Sequence, residues 1–233
     1  MKPEVMWDRL AKNWDTPGVS LGENDLRIIE KTKKYLDAGA VILDYGCATG
    51  SIAIELAGIV IEAHGIDISS KMIDIARRKA DERKIKNIDF AHTTIFDESL
   101  KKESFNLILA LSILHLLENP AQVMNRVNQL LKPGGLFVSA TPCLGRRAFV
   151  NAFISTPIFL LSKIGILPHV NFFSVPGLVA SILNENFQIV ENENLSVRPI
   201  TECFIVARKI EKMADHISLS GNSHGHSPMP SDR

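Results

Sequence analysis

The sequence predicts an α/β fold, a doubly wound and mostly parallel sheet with helices on both faces. Three stretches predict it. Val41-Ile42-Leu43 is a short apolar strand, Gly46 to Gly50 turns the chain sharply, and Ser51 to Leu56 begins a helix. Phe105 to Leu111 is a nearly continuous apolar run, as expected of a central parallel strand covered on both sides. Between them lies a second strand around Val60 to Asp67. A helix from Ser70 to about Arg83 follows it, with Ser69 or Ser70 placed as N-cap.

A strand, a glycine turn and a helix start suit a ligand of nucleotide type. Glycine lets the backbone approach a ligand closely, and N–H groups at a helix start point at it. Asp44, two positions before the first glycine, narrows the choice. A pyrophosphate there would face a carboxylate at close range and be repelled, whereas a cationic amino group would be attracted. That points away from a dinucleotide and towards S-adenosylmethionine. Asp67 ends the second strand at close to the roughly 20 residues by which a ribose-binding acid follows such a turn. Two ribose hydroxyls can donate to one carboxylate, so an acid suits that place.

These residues together resemble the cofactor core of class I S-adenosylmethionine-dependent methyltransferases that act on small molecules. The landmarks are Ile42 through Gly50, then Gly65-Ile66-Asp67-Ile68-Ser69 with Lys71-Met72-Ile73, then Leu130-Leu131-Lys132-Pro133-Gly134-Gly135. They stand in the family's order and spacing. The resemblance implies a Rossmann-like sheet of seven strands with an antiparallel last strand. It implies S-adenosyl-L-methionine as cofactor and S-adenosyl-L-homocysteine as product. It also implies cofactor contacts from Asp44, Tyr45, Gly46, Cys47, Ala48 and Gly50, and from Asp67 and Ile68. Met72 is open between an adenine contact and core packing. Where relatives carry an Asp for the adenine amino group this chain has Thr94, whose hydroxyl accepts more weakly than a carboxylate. Asp97 is the alternative, and the Ile95 N–H serves in either case. Backbone carbonyls near Ala110 and Leu111 are expected to face the methionine end. Trp14, paired with Asp15, is expected to close over the cofactor.

Composition bounds the rest. A chain of 233 residues makes one large domain or a domain with an insertion. With 45% hydrophobic and 22% charged residues it can bury a sizeable core. The net charge is zero, so no overall attraction to nucleic acid follows. Cys47, Cys143 and Cys203 lie far apart without metal-ligand spacing. They read as reduced thiols of a cytoplasmic protein, and no metal is expected. Met-Lys-Pro-Glu opens the chain with no apolar signal segment.

In order, residues 1–38 form an N-terminal helical cap. Residues 4 to 15 put Trp7, Leu10 and Trp14 on one side, and Glu23 to Leu36 carries Leu26, Ile28, Ile29 and Leu36. The plain reading is two amphipathic helices covering a sheet edge. Residues 39–142 are the cofactor-binding core. Within it His64 reads as a satisfied structural histidine, and Asn87 to Thr93 is a third strand. Ser112 to Leu117 follows the central strand at its carboxyl end, where open α/β sheets bind ligands. His115 is there the best-placed titratable group for a general base; packing beneath the loop is the other reading. Asn119 and Pro120 start a helix to Leu131, Lys132 to Gly135 stops it, and Leu136 to Ala140 is the fifth strand.

Residues 143–173 depart from the core as an apolar, helical lid insertion. Ala148 to Ser162 carries no charge, yet it is too short to span a membrane. Three readings are open: a lid over an apolar pocket, an interfacial patch reaching lipid substrates, and a dimer surface. The lid ranks first, since substrate-binding elements sit on insertions over a fixed core. Arg146 and His169 are candidate substrate contacts. Residues 174–212 end the core with a helix and two strands, Phe187–Glu191 and Cys203–Ala207, antiparallel by resemblance. Residues 213–233 are polar and expected to be disordered.

The expected function is methyl transfer to a small, rather apolar molecule through oxygen, nitrogen or carbon. A lipid or lipid head-group acceptor is the first alternative, and a non-catalytic methyltransferase-like partner protein the second. No Asn-Pro-Pro-Tyr tetrad is present, which argues against methylation of adenine or glutamine amides. An NAD oxidoreductase would need glycine where Ala48 and Ser51 stand. No nucleic-acid partner and no transmembrane segment are expected. A peripheral membrane contact and the choice between monomer and homodimer stay open.

Overall fold

A computed structural model describes residues 2–15, 21–143, 169–197 and 200–210. Most of the expected lid, Arg146 included, and the tail from 213 lie outside the described residues. Helix α1 (Pro3–Leu10) runs into a 3-10 turn at Ala11–Asn13, and α2 (Glu23–Lys33) follows. The core alternates β1 (Val41–Tyr45), α3 (Ser51–Ala57), β2 (Glu62–Asp67), α4 (Ser70–Glu82), β3 (Ile88–His92) and β4 (Phe105–Leu111). A 3-10 turn at Leu114–Leu116 leads to α5 (Pro120–Leu130) and β5 (Leu131–Cys143). Helix α6 (Val175–Leu183), β6 (Phe187–Val197) and β7 (Ile200–Lys209) complete the described fold.

The strands form one seven-stranded sheet in the order β3-β2-β1-β4-β5-β7-β6. Neighbours from β3 to β5 are parallel, and β7 is antiparallel to both β5 and β6, as the resemblance implied. One face of the sheet packs on α5 and α6 through Met124, Val127, Leu178 and Ile182. The other packs on α2 and α3 through Ile28, Ile29, Leu56 and Ala57. Helix α4 adds Ile73, Ala76 and Ala80 against Phe90 of β3. Burial on both faces is why Leu107, Ile108, Leu109 and Ala110 are all apolar and inaccessible. Strand order reverses between β1 and β4, which leaves a crevice at their carboxyl ends.

The helix boundaries follow local chemistry. The Ser69 hydroxyl accepts the Met72 N–H at the start of α4, and the Asn119 carboxamide accepts the Gln122 N–H at the start of α5. The structure departs from expectation at the start of β5, in α1, and in β6 and β7, which run longer than Phe187–Glu191 and Cys203–Ala207. Strand β5 begins at Leu131 instead of Leu136. Leu131 pairs with Phe105 and Leu136 with Leu107, so Lys132 to Gly135 forms a bulge that Gly134 bends at φ +71°. Helix α1 covers no sheet edge. It buries none of its residues and rests on α4, where the Asp8 carboxylate accepts the Ser69 hydroxyl at 2.6 Å and the Lys71 N–H at 3.2 Å.

Candidate active site

A cleft of about 900 Å³ opens at the carboxyl ends of β1, β2 and β4. Its floor is the turn from Asp44 to Thr49. Gly46 has φ +74°, and a Cβ there would come within 2.3 Å of Ile113 Cδ1, so the turn after β4 closes directly over it. Ala48 holds a left-handed φ of 48°, unusual for a residue with a side chain. Its N–H donates to Asp67 Oδ2 at 3.0 Å, and the Ser69 N–H donates to Asp67 Oδ1 at 2.8 Å. Asp67 therefore braces the strained turn and still has lone pairs free for a ligand.

Asp44 lines the same cleft but is only 3% exposed, and its carboxylate accepts no hydrogen bond among the described residues. Burial, and then the charge of Asp67, push its acidity up to about 7. Burial also raises Asp67, while the N–H groups of Ser69 and Ala48 pull it back. The Tyr45 phenol is pushed up to about 12 by burial and by Asp67, and so stays protonated. Two adjacent carboxyls, with no cation beside them on the cleft lining among the described residues, make a floor that repels anions and attracts cations.

A family profile described as a methyltransferase domain matches residues 36–196. The chain belongs to the class I S-adenosylmethionine-dependent methyltransferase family. A ubiquinone biosynthesis O-methyltransferase of Roseobacter denitrificans is 32% identical over 116 residues, covering 50% of this chain and 46% of its own. Another, of Vibrio atlanticus, is 23% identical over 212 residues and 88% of each chain. The chain spans about half the length of the first curated relatives it matches. A SAM-dependent methyltransferase of Methanosarcina mazei matches in structure with a TM-score of 0.64 at 21% identity, over 78% of this chain and 98% of that one. That likeness is one of fold.

S-adenosylmethionine is the cofactor of this methyltransferase family, and the donor set fits it. Its amino group and sulfur are cationic, which suits an Asp44 without a hydrogen bond among the described residues, and its ribose hydroxyls are donors for Asp67. Of the other expected contacts, Tyr45, Cys47, Ile68, Met72, Thr94, Leu111 and Trp14 line the cleft. Gly50, Ile95 and Ala110 do not. Gly50 has φ +73°, and a Cβ there would stand 2.5 Å from the Phe90 ring and 2.9 Å from Ala76 Cβ. Packing among α3, α4 and β3 therefore leaves no room for a side chain there. Ile95 is buried, its carbonyl accepting from Arg126 Nε at 3.2 Å, and Ala110 lies inside the sheet. Asp97 is likewise off the cleft. It accepts from the Thr93 hydroxyl at 2.5 Å and the Ser99 N–H at 2.8 Å, which hold it down at about 2.

His115 does not line the cleft. Its Nδ1 is buried without a partner among the described residues, and burial pushes the imidazole below its ordinary value. His169 does line it. Sequence reasoning missed the groups that tie the N-terminal segment down. Asp15 Oδ1 accepts the Thr49 hydroxyl at 2.9 Å, and Oδ2 pairs with Lys79 Nζ at 3.2 Å. Trp7 and Trp14 meet edge to face with centroids 5.9 Å apart, and both line the cleft. The Trp14-Asp15 pair was the available signal; Asp8 and Lys79 carry none until α1 and α4 meet. Asp25, Phe96, Glu118 and Gln122, also on the lining, were missed as well. Among the described residues no His, Cys, Asp or Glu group is placed to hold a metal, and no helix is long and apolar enough to cross a membrane.

Proposed function

We propose that the chain transfers a methyl group from S-adenosylmethionine to a hydroxyl of a small, largely apolar molecule. The observation that carries the proposal is Asp44, a buried carboxyl with no hydrogen bond among the described residues, on the cleft floor beside a second acid. When bound, S-adenosylmethionine supplies a methyl group already activated by its positive sulfur. The protein's own task is alignment and exclusion of water. Asp44 pairs with the cationic end of the cofactor, and Asp67 takes ribose hydroxyls on its remaining lone pairs. Ile68, Met72 and Thr94 wall the base, and Trp7 and Trp14 cover the opening.

The acceptor side is read from the turn after β4. Leu111, Ile113, Leu116 and Leu117 are apolar, and Asp25 and Glu118 are acidic. No Lys or Arg lines the cleft among the described residues, which disfavours an anionic acceptor. The relatives' names, ubiquinone biosynthesis O-methyltransferases, support an oxygen acceptor. A lipid-like acceptor is the second reading, favoured by Trp14 and Phe96, which line the cleft and are 46% and 45% exposed. A cytoplasmic monomer or homodimer belongs to the same proposal.

The test is transfer of label from methyl-labelled S-adenosylmethionine to a panel of alkyl-substituted phenols, catechols, amines and carboxylates. Label on hydroxyls is the expected result. Label confined to amines, or on no acceptor, overturns the proposal.

A further inference from the structure

We propose that His169 is the general base for that transfer and that Asn171 is the residue that positions it. The assignment rests on the methyl-transfer reading above. The stretch 169–171 meets the turn after β4 through a set of hydrogen bonds that fixes the ring. The Asn171 N–H donates to the His115 carbonyl at 2.6 Å, and its side-chain Nδ2 donates to the Leu117 carbonyl at 2.5 Å. With the amide nitrogen committed to a carbonyl, the amide oxygen is the atom that faces His169 Nε2, at 3.1 Å. An amide oxygen only accepts, so Nε2 carries the hydrogen. In the neutral ring Nδ1 is then the nitrogen with a free lone pair.

Position favours this histidine over the other groups. His169 lines the cleft, whereas His115 does not and keeps its Nδ1 buried. Asp25 accepts the Gly22 N–H at 2.9 Å and keeps free lone pairs, so it is one rival base. The titratable groups sharing the cleft with His169 are Asp25, Asp44, Tyr45, Cys47, Asp67 and Glu118. Of these Glu118 is the second rival base, being a carboxylate on the same turn that holds Asn171.

The step balances without another reagent. The acceptor's O–H bond breaks and its proton goes to His169 Nδ1. The oxygen's electron pair forms the new O–CH3 bond as the methyl's bond to sulfur breaks, and that pair stays on sulfur. The imidazolium then returns the proton to water. Asn171 keeps Nδ1 in its acceptor state between turnovers.

The anchorage is read first by long-range proton–nitrogen NMR of the histidine rings, with His169 assigned by its loss in His169→Gln. The expected ring is the Nε2–H tautomer, giving way to mixed tautomers in Asn171→Ala. An Nδ1–H ring in the wild type overturns the assignment, whatever the activity. The role is read from pH–rate profiles of single-turnover methylation of an alkylphenol. His169→Gln is expected to slow transfer about 10²-fold or more and to remove the acidic limb, with S-adenosylhomocysteine binding unchanged. A limb that survives in His169→Gln and disappears in Glu118→Gln or Asp25→Asn overturns it. A chain that keeps the Nε2–H tautomer but methylates nothing overturns the methyl-transfer reading, and the base role with it.

Discussion

Replacing Asp44 with Asn separates the two costs that its carboxyl carries. In the free protein the group is buried beside Asp67 and raised from 3.8 to about 7. Between pH 4 and 7 the folded chain therefore holds a proton that the unfolded chain has lost. Stability present at low pH is lost as the pH rises through about 7. At 1.36 kcal/mol per pH unit of displacement, the cost at pH 8 is on the order of 4 kcal/mol. Asparagine has the same shape and no charge. Asp44→Asn should therefore stabilise the free protein at pH 8 by a few kcal/mol, and the gain should shrink towards zero as the pH approaches 4. Cofactor affinity should move the other way, falling by about 1.5–3 kcal/mol at pH 8 as a charged hydrogen-bonded pair is lost. In the wild type, affinity should drop about tenfold per pH unit below 7, and in the variant it should not. Urea unfolding and calorimetric titration across pH 5 to 8 measure both. A variant less stable than the wild type at pH 8, or one with the wild-type pH dependence of binding, would refute the reasoning.

Asp67→Ala should weaken S-adenosylmethionine binding by about 1.5–3 kcal/mol and also loosen the turn, since Ala48 loses the acceptor that holds its positive φ; calorimetry and amide exchange at Ala48 check the two effects. Gly50→Ala should destabilise by about 2–4 kcal/mol, from the left-handed backbone and the clash with Phe90, and Phe90→Leu should restore part of it in denaturant unfolding. Burial pushes the His115 imidazole below its ordinary value of 6.5, so the unfolded state binds more protons at low pH. Its contribution should be lost as the pH falls below about 6.5, and His115→Gln should flatten that part of the stability curve.

How much was legible follows from where each signal lives. The sheet and its parallel centre were readable because strand, turn and helix chemistry are local: Asn119 caps α5 and Ser69 caps α4 from a few residues away. Asp44 and Asp67 were readable because their spacing from the glycines fixes them at adjacent strand ends. The role of Gly50 was not, since it depends on Phe90 arriving from β3, forty residues on. Nor was the docking of α1, which needs Asp8 to meet Ser69. The anchoring of Asn171 was not legible for the same reason. Nothing in the chain order says that Asn171 reaches the carbonyls of His115 and Leu117.

The central claim is that this cleft takes a cationic adenosyl ligand and not a pyrophosphate. Calorimetric titration of the full chain with S-adenosylmethionine, S-adenosylhomocysteine and NADH in parallel tests it most directly. The account predicts saturable binding of the first two at pH 8 and none of the third. Binding of NADH, or of neither adenosyl compound, would contradict it.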